Sequence, residues 1–322
     1  MKNAQSPIAK KISGMLRKGK FRAQFLRQRK RLRNSGIKTY LKKRELTDHE
    51  EQLVRILNDH ADGIYTHEFI NAFIKTDGTT TYLDFAGAKL PDPVAYPEIM
   101  YGLIYGIFED TFLIPVLCND NYDKSIVKHF YRFLGEGPYG YKDSKYDITV
   151  KKGDIVIDAG AWAGDFSAYA ASRGGCTYAF EPVSELHALL QKTAELNPGI
   201  IPVQCALGET ASIGKISTAG VSSSITAADE QTAASVPIVS LDQFVQDHGI
   251  TRVDFIKADI EGAERDMLNG ATEVLRKFAP KLAICTYHLK DDPEILSSII
   301  LKANPKYKII FLRKKLFACV IN

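Results

Sequence analysis

Four residues between positions 158 and 181 have the types and spacing to hold an adenosine-containing cofactor. An apolar run, Ile155 to Ile157, ends on Asp158. Gly160 and Gly164 stand in the small-residue turn that follows, and a second apolar run, Tyr178 to Phe180, ends on Glu181. Glycine lets such a turn bend tightly and lets a cofactor approach the main chain. An acid closing the second strand suits a pair of ribose hydroxyls. Glu181 lies 23 positions after Asp158, close to the expected spacing of about 20. A plain strand-to-helix turn using two glycines is the bland alternative, and the acid argues against it.

The same turn discriminates among cofactors. A nicotinamide site favours G-x-G-x-x-G around a pyrophosphate, and the turn here, DAGAWAG over 158–164, lacks the middle glycine. Asp158 is read as facing the place of that pyrophosphate, where like charges repel. S-adenosylmethionine carries no phosphate and has a sulfonium and an ammonium group, so the acid favours it. No G-x-x-x-x-G-K-[ST] follows any strand, which excludes a P-loop.

A second cluster, VDFIKADIEG over 253–262, runs a strand into Lys257, Asp259 and Glu261. In a doubly wound sheet, ligands sit beyond the carboxyl ends of strands. Asp259 and Glu261 are two apart, so in an extended chain they share a face, where they accept a proton, orient a hydroxyl or hold the donor's cationic part. The simpler role for Glu261 is to stabilise a helix N-terminus. His288 follows the next strand in TYHLKDD and is a second candidate base, against the commoner structural histidine. Ser222, Ser223 and Ser224 read as a turn, with a hydrogen-bonding role to a polar substrate as the alternative. No metal ligand set is read from the sequence.

The elements that must position these residues alternate strand and helix from about Lys145, which implies a parallel sheet covered on both faces. Expected strands are 155–158, 178–181, 200–206, 253–259, 281–286, 308–312 and 316–321. The last two are joined by Arg313, Lys314 and Lys315 alone, too short a link for a crossover helix, so they pair antiparallel. Upstream, 47–75, 96–112 and 125–134 read as helices and 79–90 as a hairpin. Residues 135–141 (GEGPYGY) read as a turn into the cofactor domain. The organisation expected is a basic amphipathic segment over 1–45, a mostly helical region over 46–144 (core, or a lid over the substrate), and a catalytic domain over 145–322.

The 322 residues suffice for a substantial core, and 45% hydrophobic with 25% charged content is ordinary for a globular protein. Five scattered cysteines without a C-x-x-C pair favour a reducing compartment without disulfides or zinc. No signal peptide or membrane span is read, so the expected location is cytoplasmic. The net charge of +4 is unevenly spread. Residues 1–44 hold 16 Lys or Arg and no acid, leaving 26 basic against 38 acidic residues in 45–322, a net of −12. With Ile8, Ile12, Met15 and Leu16 at helical spacing, this head suits peripheral contact with anionic membrane on its inner face. An intramolecular role, a nucleic-acid arm and a transit peptide are the alternatives.

From Gly153 to Leu289 the chain resembles the FkbM-type methyltransferases, on the pieces GDIVIDAGAWAGDFSAYAA, YAFEP, ALGE, SSSI, VPIVSLDQF, DFIKADIEGAE and LAICTYH. The resemblance implies an α/β, Rossmann-like class I methyltransferase domain. Its sheet is mainly parallel and ends in an antiparallel hairpin, behind a mostly helical N-terminal extension. It also implies S-adenosylmethionine as cofactor and O-methylation of sugars or natural products. Asp158, Gly160 and Gly164 take the turn's role and Glu181 the ribose acid's. Cys205 and Ala206 border the adenine, and Asp259 and Glu261 lie near the methyl group. Trp162 stands where the family pattern has Asn, so its ring narrows the methionine end. The expected acceptor is a saccharide or glycolipid, with Asp259 as base, His288 second and Glu261 orienting. The rivals are RNA methylation, against which the absent [DNS]-P-P-[YF] tetrapeptide counts, and a non-catalytic cofactor- or lipid-binding adaptor.

Overall fold

A computed structural model describes residues 73–92, 95, 110, 138–217 and 233–321. The chain divides into two compact units, Met1–Gly137 and Pro138–Asn322. The second begins ahead of the position 145 expected from sequence. The basic head, the expected helices over 96–112 and 125–134, and Ser222–Ser224 lie outside the described residues.

In the first unit, strands β1 (Ile74–Asp77), β2 (Thr80–Phe85) and β3 (Ala88–Pro91) form an antiparallel meander. The hairpin expected over 79–90 is β2–β3, closed by Ala86 and Gly87, both at positive φ. Of the helix expected over 47–75, residues 47–72 lie outside the described ones; Phe73 is helical, and Ile74 and Lys75 instead pair as strand with Leu83 and Tyr82. Leu83, Phe85 and Leu90 are buried on one face, as the period-2 alternation of TTYLDF requires.

The second unit is built on seven strands. β6 (Ile155–Ala159), β7 (Cys176–Phe180) and β8 (Ile200–Val203) lie to one side. β12 (Phe255–Ala258), β13 (Lys281–Cys285), β14 (Tyr307–Leu312) and β15 (Lys315–Val320) lie to the other, in the order β14-β15-β13-β12-β6-β7-β8. β6 and β12 are central and largely buried, so their sequences are mostly apolar, broken only by Asp158 and Lys257, which pair with each other. Helices α1 (Asp165–Ser172), α2 (Ser184–Leu196), α3 (Leu241–Asp247), α4 (Glu264–Asn269), α5 (Thr272–Lys277) and α6 (Asp292–Ala303) make the connections.

The C-terminal pair is antiparallel as expected, linked by Arg313 and Lys314. β15 then inserts between β13 and β14 and runs antiparallel to both. The strand expected over 200–206 breaks after Val203. Ala206–Leu207 (β9) leaves the main sheet and pairs with β11 (Ala233–Val239), itself paired with β10 (Ser212–Ser217). A short ribbon, β4 (Tyr141–Lys142) with β5 (Asp147–Ile148), precedes β6. The Tyr141 ring lies 5.7 Å from that of Phe317 on β15. This contact anchors the segment that carries Tyr139 over the end of the sheet. Among the described residues no helix is long and apolar enough to cross a membrane.

Candidate functional site

The turn after β6 is strained in a way that fits its task. Gly160, Trp162 and Gly164 all have positive φ, at 73°, 49° and 86°. A Cβ on Gly160 would meet the Asp259 carbonyl oxygen at 2.0 Å. This glycine therefore lets the first turn press against the end of β12. A Cβ on Gly164 would meet Leu190 at 2.8 Å and Thr193 at 3.0 Å, so the second glycine sets the approach of α1 to α2. Trp162 occupies left-handed backbone that side chains rarely take, apart from Asn and Asp.

Glu181 ends β7 and ties the turn down. Its Oε2 accepts the Trp162 N–H at 3.0 Å and its Oε1 the Val183 N–H at 2.9 Å. Each oxygen keeps a second lone pair, enough for one hydroxyl of a ribose diol. Burial pushes its carboxyl up to about 7, against the opposing pull of the two backbone N–H groups and Lys257.

Asp158 departs from the sequence reading. It is 0% exposed. Its Oδ1 lies 2.9 Å from Lys257 Nζ and its Oδ2 accepts the Ser167 hydroxyl at 2.6 Å. The charge that was to repel a pyrophosphate is neutralised beneath the turn, so Asp158 acts through the scaffold. Lys257 also donates to the Gly160 carbonyl at 2.6 Å. Its burial alone would favour the neutral amine. Asp158, Asp259 and Asp165 outweigh that and hold the ammonium firmly protonated. Cys205 and Ala206 are buried at the break between β8 and β9, and burial pushes the Cys205 thiol up to about 11.

The second cluster converges on His288. Its Nε2 lies 3.5 Å from Asp259 Oδ1 and 3.4 Å from Glu261 Oε2, and its Nδ1 2.9 Å from Glu264 Oε1. The two carboxylates do not meet by strand alternation, since the chain leaves β12 after Ala258 and Glu261 has φ 54°. They meet on the imidazole instead. Asp259 Oδ2 accepts the Tyr139 hydroxyl at 2.5 Å, and Tyr287 donates to Oδ1 at 3.3 Å. Burial would raise the Asp259 carboxyl, but Lys257, Tyr139, Lys315 and His288 hold it below the ordinary range. Alone, Asp259 is therefore a weak base. Burial opposes a charged His288, and Glu264, Asp259 and Glu261 overcome it and raise its pKa.

Residues 158–308 match the family model described as the methyltransferase FkbM domain. The chain carries an FkbM methyltransferase domain. Its donor is S-adenosylmethionine, and its seven-stranded sheet is the Rossmann-like class I arrangement.

Among solved structures, the chain is similar to methyltransferase FkbM from Methylobacillus flagellatus KT, with 18% identity, 85% of this chain and 71% of that chain covered, and a TM-score of 0.44. It is also similar to the Methanococcus jannaschii fibrillarin pre-rRNA processing protein (17% identity, 53% and 67% covered, TM-score 0.34). Aeropyrum pernix fibrillarin, in complex with natively bound S-adenosyl-L-methionine, is similar at 13% identity, with 53% and 68% covered and a TM-score of 0.34. No curated protein matches the chain.

Three residues around the candidate site were given no part in the sequence reading, and a fourth, Lys257, was named without its role. Glu264, in the EGAE of the second motif, is 0% exposed and accepts the N–H groups of Ile260 (2.9 Å) and Gly262 (3.1 Å). That is the capping duty assigned in advance to Glu261. Its spacing, an acid just inside a helix start, was the available signal. Tyr139 lies in GEGPYGY and Tyr287 in LAICTYH, yet no spacing rule marks either as a partner of Asp259.

With Glu181 as the proposed ribose acid, donor binding is expected to depend on pH. Its carboxyl is raised from 4.5 to about 7, so between these values the folded protein holds the proton more tightly, and rising pH costs stability across that window. Donor binding changes in the opposite sense, because only the carboxylate accepts from both ribose hydroxyls. Calorimetric affinity for S-adenosylmethionine is expected to rise about tenfold from pH 6 to pH 8, and Glu181→Gln to remove that rise.

Proposed function

We propose that this domain transfers a methyl group from S-adenosylmethionine to a hydroxyl of a sugar, glycan or glycolipid acceptor. The observation that carries the reading is the group formed by Asp259, Glu261 and His288 at the carboxyl ends of β12 and β13, beside the Gly160 turn. The S–CH3 bond breaks as the O–CH3 bond forms, a neutral thioether leaves, and the hydroxyl gives up its proton. An alcohol is a poor nucleophile until that proton is drawn away. Three carboxylates surround the single imidazole, and this concentration of negative charge attracts the departing proton and orients the O–H. Alignment of donor and acceptor supplies much of the remaining rate.

In this reading Glu181 holds the ribose, Cys205 and Ala206 border the adenine, and the turn from Asp158 through Gly160 and Trp162 to Gly164 shapes the methionine end. A saccharide suits the acceptor side, because the carboxylates and the hydroxyls of Tyr139 and Tyr287 form a polar wall. A glycolipid acceptor would give the basic residues 1–44 a membrane to touch. The test is incubation of the full chain with labelled donor and, in parallel, cell glycans, lipids and RNA. Label in glycans or glycolipids is expected. Label confined to RNA, or donor uptake without transfer to any pool, overturns the assignment.

A further inference from the structure

We infer that Glu264 is a positioning residue for the methyl transfer: it keeps the His288 ring proton on Nδ1, so that Nε2 receives the proton of the acceptor hydroxyl. This rests on the transfer to oxygen proposed above and names the atom on which the departing proton lands.

Two ties hold the imidazole in place. Glu264, buried at the start of α4, lies with Oε1 2.9 Å from His288 Nδ1. The backbone N–H groups of Ile260 and Gly262 fix the direction of that carboxylate. A carboxylate oxygen has lone pairs enough for a backbone N–H and a ring N–H together. Next along α4, Arg265 grips the loop that follows His288. Its Nε donates to Asp292 at 2.8 Å and its Nη2 to Asp291 at 2.6 Å. Asp292 in turn accepts the Leu289 N–H at 2.8 Å. Neighbouring residues of one helix thus fix both the ring and its loop.

The distances choose the tautomer. A neutral imidazole carries one proton, and the hydrogen bond made by one ring nitrogen decides the state of the other. Glu264 stands 2.9 Å from Nδ1, whereas Nε2 has Asp259 Oδ1 at 3.5 Å and Glu261 Oε2 at 3.4 Å. With the proton on Nδ1, Nε2 turns its lone pair toward two carboxylate oxygens, an unfavourable contact that the arrival of a proton relieves. The Tyr287 ring also faces the imidazole, 4.2 Å away. Asp259 is the poorer acceptor. Tyr139 donates to its Oδ2 and Tyr287 to its Oδ1, while the buried Lys315 and Lys257 stand 4.0 Å and 5.2 Å from the centre of the Tyr139 ring. In the transfer an oxygen lone pair of the acceptor forms the O–CH3 bond and the S–CH3 pair leaves with sulfur. The O–H pair stays on oxygen and the proton passes to Nε2. Asp259, Glu261 and Glu264 balance the resulting imidazolium, which later gives its proton to water.

The test reads the ring directly. The full chain, carrying isotope-labelled histidine, is followed across pH by long-range proton–nitrogen correlation spectra with neither donor nor acceptor present, and His288→Gln assigns the signal. Neutral His288 is expected to carry its proton on Nδ1. Glu264→Gln, whose amide donates to Nδ1, is expected to move that proton to Nε2. His288 is expected to titrate above its ordinary value, because Glu264, Asp259 and Glu261 outweigh its burial, and to titrate lower in Glu264→Gln, which loses a charge favouring the imidazolium. In transfer from labelled donor to cell glycans, kcat is expected to fall as pH drops through that value, since only the neutral ring accepts a proton. Glu264→Gln is expected to lower kcat by about 10²–10⁴, with donor affinity by calorimetry nearly unchanged and the acid limb moved to lower pH. A neutral wild-type ring protonated on Nε2, or a tautomer that Glu264→Gln leaves in place, overturns the positioning role; the wild-type spectra decide this where the variant fails to fold. The two readings separate cleanly. An Nδ1-protonated ring without transfer to glycans or glycolipids removes the proton's destination and keeps the orientation by Glu264, and glycan transfer with an Nε2-protonated ring does the reverse.

Discussion

Asp259→Asn is expected to lower kcat by about 10² to 10⁴, with affinity for S-adenosylmethionine nearly unchanged. The asymmetry follows from position. Asp259 lies beyond the end of β12 with Oδ1 turned to His288 and Tyr287, whereas Glu181, the proposed ribose acid, lies beyond β7. Asn keeps the shape and still accepts the Tyr139 hydroxyl, so the fold is spared. It removes the negative charge that draws the acceptor's proton. Single-turnover transfer with labelled donor, beside calorimetry of donor binding, measures the two effects separately. Equal loss of both would place Asp259 in donor binding, and unimpaired turnover would remove it from the chemistry.

Lys257→Met is expected to cost about 3–5 kcal/mol of stability, because it leaves Asp158 charged, wholly buried and unpaired. For a domain of this size that is a fall in Tm of roughly 6–20 °C, read by calorimetry or thermal shift. Adding Asp158→Asn removes the orphaned charge, so the double variant is expected to recover much of the loss; simple additivity in the double-mutant cycle would sink the pairing. Lys257 is also among the cations that hold Asp259 low. Its loss therefore raises the Asp259 carboxyl, and any residual activity is expected to have its acid limb moved to higher pH.

The sequence carried the order of strands and the turn, because a parallel sheet writes itself as apolar runs ending on polar residues. DIVIDAG and DFIKADIEG are such runs, and both end where ligands gather. The three-residue link expected between the last strands also forced their antiparallel pairing, although one residue of it, Lys315, belongs to β15. What stayed hidden depends on contacts between distant positions. The insertion of β15 between β13 and β14 is a choice of neighbour that no local pattern records. Asp158 read as a free charge because its neutralising partner, Lys257, lies a hundred residues downstream. The bond that Asp259 accepts from the hydroxyl of Tyr139, 120 positions upstream, was likewise invisible. The helix expected through residue 75 is overturned, among the described residues, at Ile74 and Lys75 alone. Its last residues are short and local, and β2 captured them as a pairing partner.

The place of β15 has a consequence for how the chain reaches its native state. Until residues 315–320 dock, β13 shows an open edge and β14 has no neighbour in the main sheet at all. Assembly of this layer must therefore wait until residues 315–320 have left the ribosome, and a bare strand edge invites intermolecular association meanwhile. Removal of residues 315–320 is thus expected to yield insoluble aggregate, even though Asp259, Glu261, Glu264 and His288 all lie upstream of them.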